Sequence, residues 1–227
     1  MTVSGGFFLI IVVAILGGIV QWRLNSVFDK FSRVHNPLGL TGADIAEKML
    51  RDHGIFDVTV THVSGRLTDH YNPADKTLNL SDSVYGSSSV AAAAVAAHEC
   101  GHAVQHAEAY APLTLRSKLV PVVQFSSTFA QIDIIVRSLL LNVLPFFFWA
   151  GIAMFAMVLL FSVVTLPVEY NASSRAVAWL EASGSLTSKE LEDARTTLTW
   201  AARTYLVAAL SALATLIYYL GFARSRD

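Results

Sequence analysis

Thirty-one consecutive residues, Ser138 to Val168, carry no charged side chain. A helix rises 1.5 Å per residue, so about 20 apolar residues cross the hydrocarbon of a bilayer. The run contains LPFFFWAGIAMFAMVLLFSVV and is long enough to span. Met1–Trp22 is also uncharged, with FFLIIVVAILGGIV inside it, and so is Thr204–Ala223, bounded by Arg203 and Arg224. Tyr218 and Tyr219 sit near one end of the last run, where interfacial aromatic anchors are common. A cleaved signal peptide is the competing reading of the first run, but it lacks a basic n-region and a clear small-x-small cleavage site. Residues 119–141 are apolar yet contain Gln124, Gln131, Asp133 and Arg137. Asp133 and Arg137 are four apart and can pair on a helix, which lowers the cost of burying them. The region reads as a further span, with a buried helix of the polar domain as the alternative. Asn142 and Pro145 separate it from the next.

Composition agrees. Hydrophobic residues make up 54% of the 227 and charged residues 15%, against roughly 25% charge in soluble domains. This argues against a soluble monomer and against a disordered chain. The net charge of −1 offers no bulk pull on nucleic acid, so no such partner is expected. A single cysteine, Cys100, excludes a disulfide framework and a thiolate zinc cluster.

The polar remainder is Leu24–Lys118 and Glu169–Arg203. Thr41-Gly-Ala-Asp44 opens a helical pattern with Ile45, Met49 and Leu50 on one side, stopped by Gly54. FDVTV (56–60) and KTLNL (76–80) read as strands, with turns at Ser64-Gly65 and Asn72-Pro73. Gly86 and serines 87–89 suit the start of an Ala-rich helix. Thr187 and Glu190 form a capping-box pattern leading to the last span.

That Ala-rich helix reads His98-Glu99-Cys100-Gly101-His102, an H-E-x-x-H pattern. Imidazoles at i and i+4 share a helix face and can hold one Zn²⁺, leaving the intervening carboxylate free to act as a base. Glu99 is the candidate catalytic group: it takes a proton from metal-bound water and passes it to the leaving amine. A strand before this helix suits a substrate held by strand addition. A third ligand is needed. His106 follows on the same helix and cannot complete a compact tripod. Glu169, the first charge after the long uncharged run, is the better candidate, with Pro167 permitting a helix to begin near it. Ala172 allows close helix approach, and Ser173 can orient a zinc histidine. His98 and Glu169 can meet only across an even number of membrane crossings, which favours spans at both 119–141 and 143–166. Auxiliary candidates are His70 and Tyr71 as oxyanion stabilisers, against a structural turn network, and Arg175 as a partner of Glu169 or of a substrate carboxylate, against a plain surface charge.

The stretches LTDHYNP (67–73), LNLSDSVY (78–85), VAAHECGHAVQ (95–105), TLPVEYNASSRA (165–176) and TYLVAAL (204–210) occur here in one order. In them the chain resembles the neutral zinc membrane metallopeptidases of the YugP-like group over nearly its whole length. The resemblance implies a multi-pass membrane protease with zinc on His98 and His102 and catalytic Glu99. Glu169 as third ligand is also implied by similarity to membrane zinc peptidases with a downstream E-[FY]-x-A-D motif, from which this chain departs by carrying Ser173 at the Asp position.

The expected fold is mainly α: about four transmembrane helices with a small α+β zincin-like domain. Its expected parts are helix 1 at 1–23, a zinc peptidase domain at 24–118 with the H-E-x-x-H helix at 88–107, and spans at 119–141 and 142–168. A third-ligand segment at 169–203 and a last span at 204–223 follow. The expected function is a zinc-dependent endopeptidase of peptide or protein substrates, in contact with the lipid bilayer of the cell membrane. Its site would face the cytoplasm, since the two polar pieces, with Arg23 and Arg203 counted at their edges, hold 13 of the 16 basic residues. A non-catalytic scaffold with structural zinc and an intramembrane-cleaving protease are the alternatives. An intact Glu99 argues against the first. Against the second stand the short apolar run before His98 and the absence of an Asp-Gly after Pro145.

Overall fold

A computed structural model describes residues 3–124 and 145–224. Its elements are α1 (Val3–Phe31), α2 (Gly42–Asp52), β1 (Thr59–Val63), β2 (His70–Asn72), β3 (Thr77–Ser81), α3 (Val90–Ala107), α4 (111–124), α5 (Pro145–Ala182) and α6 (Ser188–Arg224). Ser4–Phe31, Trp149–Ala182 and Ser188–Gly221 are long and apolar enough to cross a membrane. The expected span at 119–141 falls mostly on 125–144, outside the described residues.

Contacts divide the chain into two units. One comprises Met1–Val20, Thr114–Leu166 and Thr204–Asp227. Here apolar side chains point outward: Phe7, Phe8, Ile15 and Trp149 are more than half exposed. A large apolar surface of this kind is stable against lipid and costly against water. Within it α1 and α6 approach closely. A Cβ added at Gly6 would lie 2.9 Å from the Cα of Tyr218, so a hydrogen is required there. Phe155 stacks on Tyr219 with ring centroids 4.8 Å apart.

The second unit is Gln21–Leu113 with Pro167–Arg203. Its three-stranded sheet runs β1-β3-β2, with β1 parallel and β2 antiparallel to the central β3. β2 is thus an edge. The first strand forms at Thr59–Val63 rather than 56–60. Phe56 is 80% exposed and Asp57 pairs with Lys76, so the chain enters the sheet only after both. β2 has no alternating pattern in the sequence. Its three residues are fixed by pairing with 77–79.

α2 begins in a full capping box, with Thr41 accepting from the Asp44 N–H and the Asp44 carboxylate accepting from the Thr41 N–H. Its apolar face (Ile45, Ala46, Met49, Leu50) is buried. α3 starts at Val90, two residues later than expected, because the Ser89 side chain takes the N-cap and accepts from the Ala92 N–H at 3.1 Å. Ala91–Ala94, Ala96 and Ala97 are at most 1% exposed. Alanine alone fills such a helix on all sides without holding its neighbours apart. Pro167 does not start a helix: α5 runs unbroken through it from Pro145 to Ala182. Proline inside a membrane-length helix is tolerated because neighbouring groups re-satisfy the freed carbonyl.

Candidate metal centre

α3 presents His98 and His102 one turn apart, with ring centroids 4.9 Å from each other. α5 brings Glu169 to them from 67 residues further along the chain. Its Oε2 lies 3.3 Å from His98 Nε2 and 3.6 Å from His102 Nε2. One ligand atom from each residue falls within 4.8 Å of the others. Ligands at 2.0–2.1 Å in a tetrahedron sit roughly 3.3 Å apart, so the spacing fits a zinc ion.

Close helix contact makes this meeting feasible. A Cβ on Gly101 would lie 2.6 Å from the Ala172 carbonyl oxygen. Glycine on α3 against alanine on α5 therefore sets how near the backbones that carry the two histidines and Glu169 come. All three side chains are buried, Glu169 to 1% exposure. A carboxylate in that position demands positive charge beside it. Burial alone would push the His102 ring toward its neutral form. The Glu169 carboxylate beside it outweighs that, holding its pKa above the ordinary imidazole value. The cluster is built to attract a cation, and two imidazoles with one carboxylate are a donor set suited to Zn²⁺.

Both rings are held from behind. Ser173 Oγ lies 3.1 Å from His98 Nδ1, four residues after Glu169 on the same helix. Gln105 Oε1 lies 3.0 Å from His102 Nδ1. Gln105 was not anticipated from the sequence. Its signal was faint: an amide three residues after His102, on the same side of an alanine-rich helix.

Glu99 is outside the three-ligand group. It is 8% exposed, and its Oε2 accepts the backbone N–H of Tyr71 at 3.0 Å, so edge strand β2 fixes its position. The Tyr71 hydroxyl bonds His106 Nδ1 at 2.8 Å. His70 is exposed and donates from Nδ1 to the Thr68 carbonyl at 2.8 Å. Arg175 has partners other than Glu169. It pairs with Glu108 at 2.6 Å and donates to Asn171 at 2.7 Å. Cys100 is fully buried, which pushes its thiol pKa well up, and it donates to the Ala46 carbonyl.

The protein named "Putative membrane protease YugP" of Bacillus subtilis (strain 168) is 40% identical over 210 residues, covering 91% of this chain and 92% of that protein. No solved structure matches the chain. Residues 6–224 match the family described as "Putative neutral zinc metallopeptidase", and the chain belongs to that family.

Proposed function

We propose that the protein is a membrane-embedded zinc endopeptidase in which His98, His102 and Glu169 hold the metal and Glu99 is the general base and acid. The convergence of Glu169 with the two histidines carries this reading. Zn²⁺, when bound, polarises the scissile carbonyl and lowers the pKa of its water to about 7. Glu99 accepts the proton released and delivers it to the departing amine. The Tyr71 N–H holds one Glu99 oxygen and leaves the other to work. An extended peptide lying along edge strand β2 would run beside α3, with its scissile bond near the cluster. Ser173 and Gln105 steady the two rings.

In this reading the chain crosses the cell membrane four times. His98 and Glu169 share one cluster, so an even number of crossings lies between them. α5 provides one and the stretch 119–141 the other. The site then faces the cytoplasm with the two basic-rich polar pieces. The test uses purified full-length protein, a fluorogenic unfolded substrate and metal analysis. Glu99→Gln should keep zinc and lose hydrolysis. Equal behaviour of wild type and Glu99→Gln in every assay, with zinc bound, would establish a scaffold instead.

A further inference from the structure

Gln105 is fully buried, and it touches both ligand-bearing helices. Its Nε2 donates to the Val168 carbonyl at 2.8 Å and to Asn171 Oδ1 at 2.9 Å. Its Oε1 faces His102 Nδ1 at 3.0 Å. Asn171 Oδ1 also accepts from Arg175 Nε at 2.7 Å, and Arg175 Nη2 rests on Glu108 Oε2 at 2.6 Å.

Only one arrangement of these amides is self-consistent. A backbone carbonyl can only accept, and an arginine Nε can only donate. Turning Gln105 over would set its oxygen against two acceptors, Val168 O and Asn171 Oδ1. Turning Asn171 over would set its NH₂ against two donors. With both orientations fixed, the oxygen of Gln105 must face His102, so Nδ1 of His102 carries the hydrogen. In the neutral ring, the form that binds a metal, Nε2 then holds the lone pair, and Nε2 is the atom 3.6 Å from Glu169. The partner of His98 does not impose this. A serine hydroxyl either donates or accepts, so Ser173 steadies the ring without choosing its tautomer.

Resting on the zinc reading above, we propose that Gln105 is a positioning residue of the metal centre. It sets the metal-binding tautomer of His102 and pins the backbone one residue before Glu169, with Asn171, Arg175 and Glu108 holding it in orientation. One side chain thereby ties a ligand of α3 to a ligand of α5.

The test measures zinc affinity by chelator competition on the full-length protein, together with the visible absorption spectrum of the cobalt-substituted form. Gln105→Met keeps the length and loses both the acceptor and the donors. It should bind zinc about 10–100-fold more weakly, the usual effect of removing such a partner, and shift the cobalt bands. Asn171→Asp preserves both accepted hydrogen bonds and should match wild type. Asn171→Leu, at a half-buried site, should move affinity and spectrum in the same direction as Gln105→Met, and serves if that variant fails to fold. Wild-type affinity and an unchanged cobalt spectrum in Gln105→Met, or in Asn171→Leu where Gln105→Met does not fold, overturn the role of Gln105 and leave the peptidase reading intact. A wild-type protein that binds no zinc overturns the reading beneath it.

Discussion

Replacing Gly101 by alanine tests the proposition that helix proximity builds the metal centre. The added methyl would lie 2.6 Å from the Ala172 carbonyl oxygen and 3.1 Å from Ala172 C and Cα. All three atoms are backbone, so no rotamer change relieves the contact. Restoring an ordinary separation of roughly 3.4 Å requires α5 to recede by about 0.8 Å from this point of α3. Metal-ligand distances tolerate only about 0.2 Å, and Glu169 lies one turn before Ala172 on the retreating helix. Two opposing effects act on stability. Alanine favours a helix interior by about 1 kcal/mol over glycine, whereas overpacking costs about 1–3 kcal/mol. The net loss of stability is therefore at most about 2 kcal/mol. Zinc affinity should fall tenfold or more, since one of three ligands is displaced by several times its tolerance. The assay is chelator competition for zinc alongside thermal unfolding of the metal-free protein. Adding Ala172→Gly should not rescue the variant, because the clash is with the carbonyl and not with the Ala172 methyl. Wild-type zinc affinity in Gly101→Ala, or full rescue by Ala172→Gly, would refute the reasoning.

Glu169→Ala, like His98→Ala, should remove most bound zinc by metal analysis; normal stoichiometry in Glu169→Ala would exclude it as a ligand. Glu99→Gln should retain zinc while hydrolysis falls by about 10²–10⁴-fold, the range for removing a general base. Treatment with a chelator should abolish hydrolysis, and added zinc should restore it. Thr41→Ala should lower stability by about 1 kcal/mol through loss of the α2 cap, with zinc affinity unchanged. The Thr41 hydroxyl and N–H also hold the Asp44 carboxyl below its ordinary value. That contribution is complete above the unfolded carboxyl pKa near 3.9 and is lost as pH falls through the lower folded value. Thr41→Ala should therefore flatten the acid limb of a stability–pH profile.

Helix starts were legible wherever a side chain did the capping. Thr41 with Asp44, Ser89, and Thr187 with Glu190 each satisfy N–H groups at the head of a helix, and each lies within three residues of its partner. Such local chemistry is written in adjacent letters. The sheet was less legible because its determinants are not local. β2 exists because His70–Asn72 pair with 77–79, and nothing in three polar and aromatic residues announces that. Pro167 misled for a related reason. Proline is penalised through the carbonyl four residues earlier, and whether that carbonyl finds another partner depends on surroundings that the sequence does not spell out.

The metal centre divides along the same line. His98, Glu99 and His102 could be read because helical periodicity alone puts both imidazoles on one face. Glu169 could be reached only by adding an argument about chemistry, that two histidines need a third ligand from a segment able to return to them. Gln105 escaped that argument, although it stands only three residues after His102. Its importance depends on what stands opposite it, the Val168 carbonyl and Asn171, both contributed by α5. The spacing between His102 and Gln105 implied a contact, but the acceptors across the helix interface give that contact its direction. With them in place, the amide can present only its oxygen to the ring. The more a side chain's role lies in orienting another group, the more the information resides in the third partner, and the less any single stretch of sequence can disclose it.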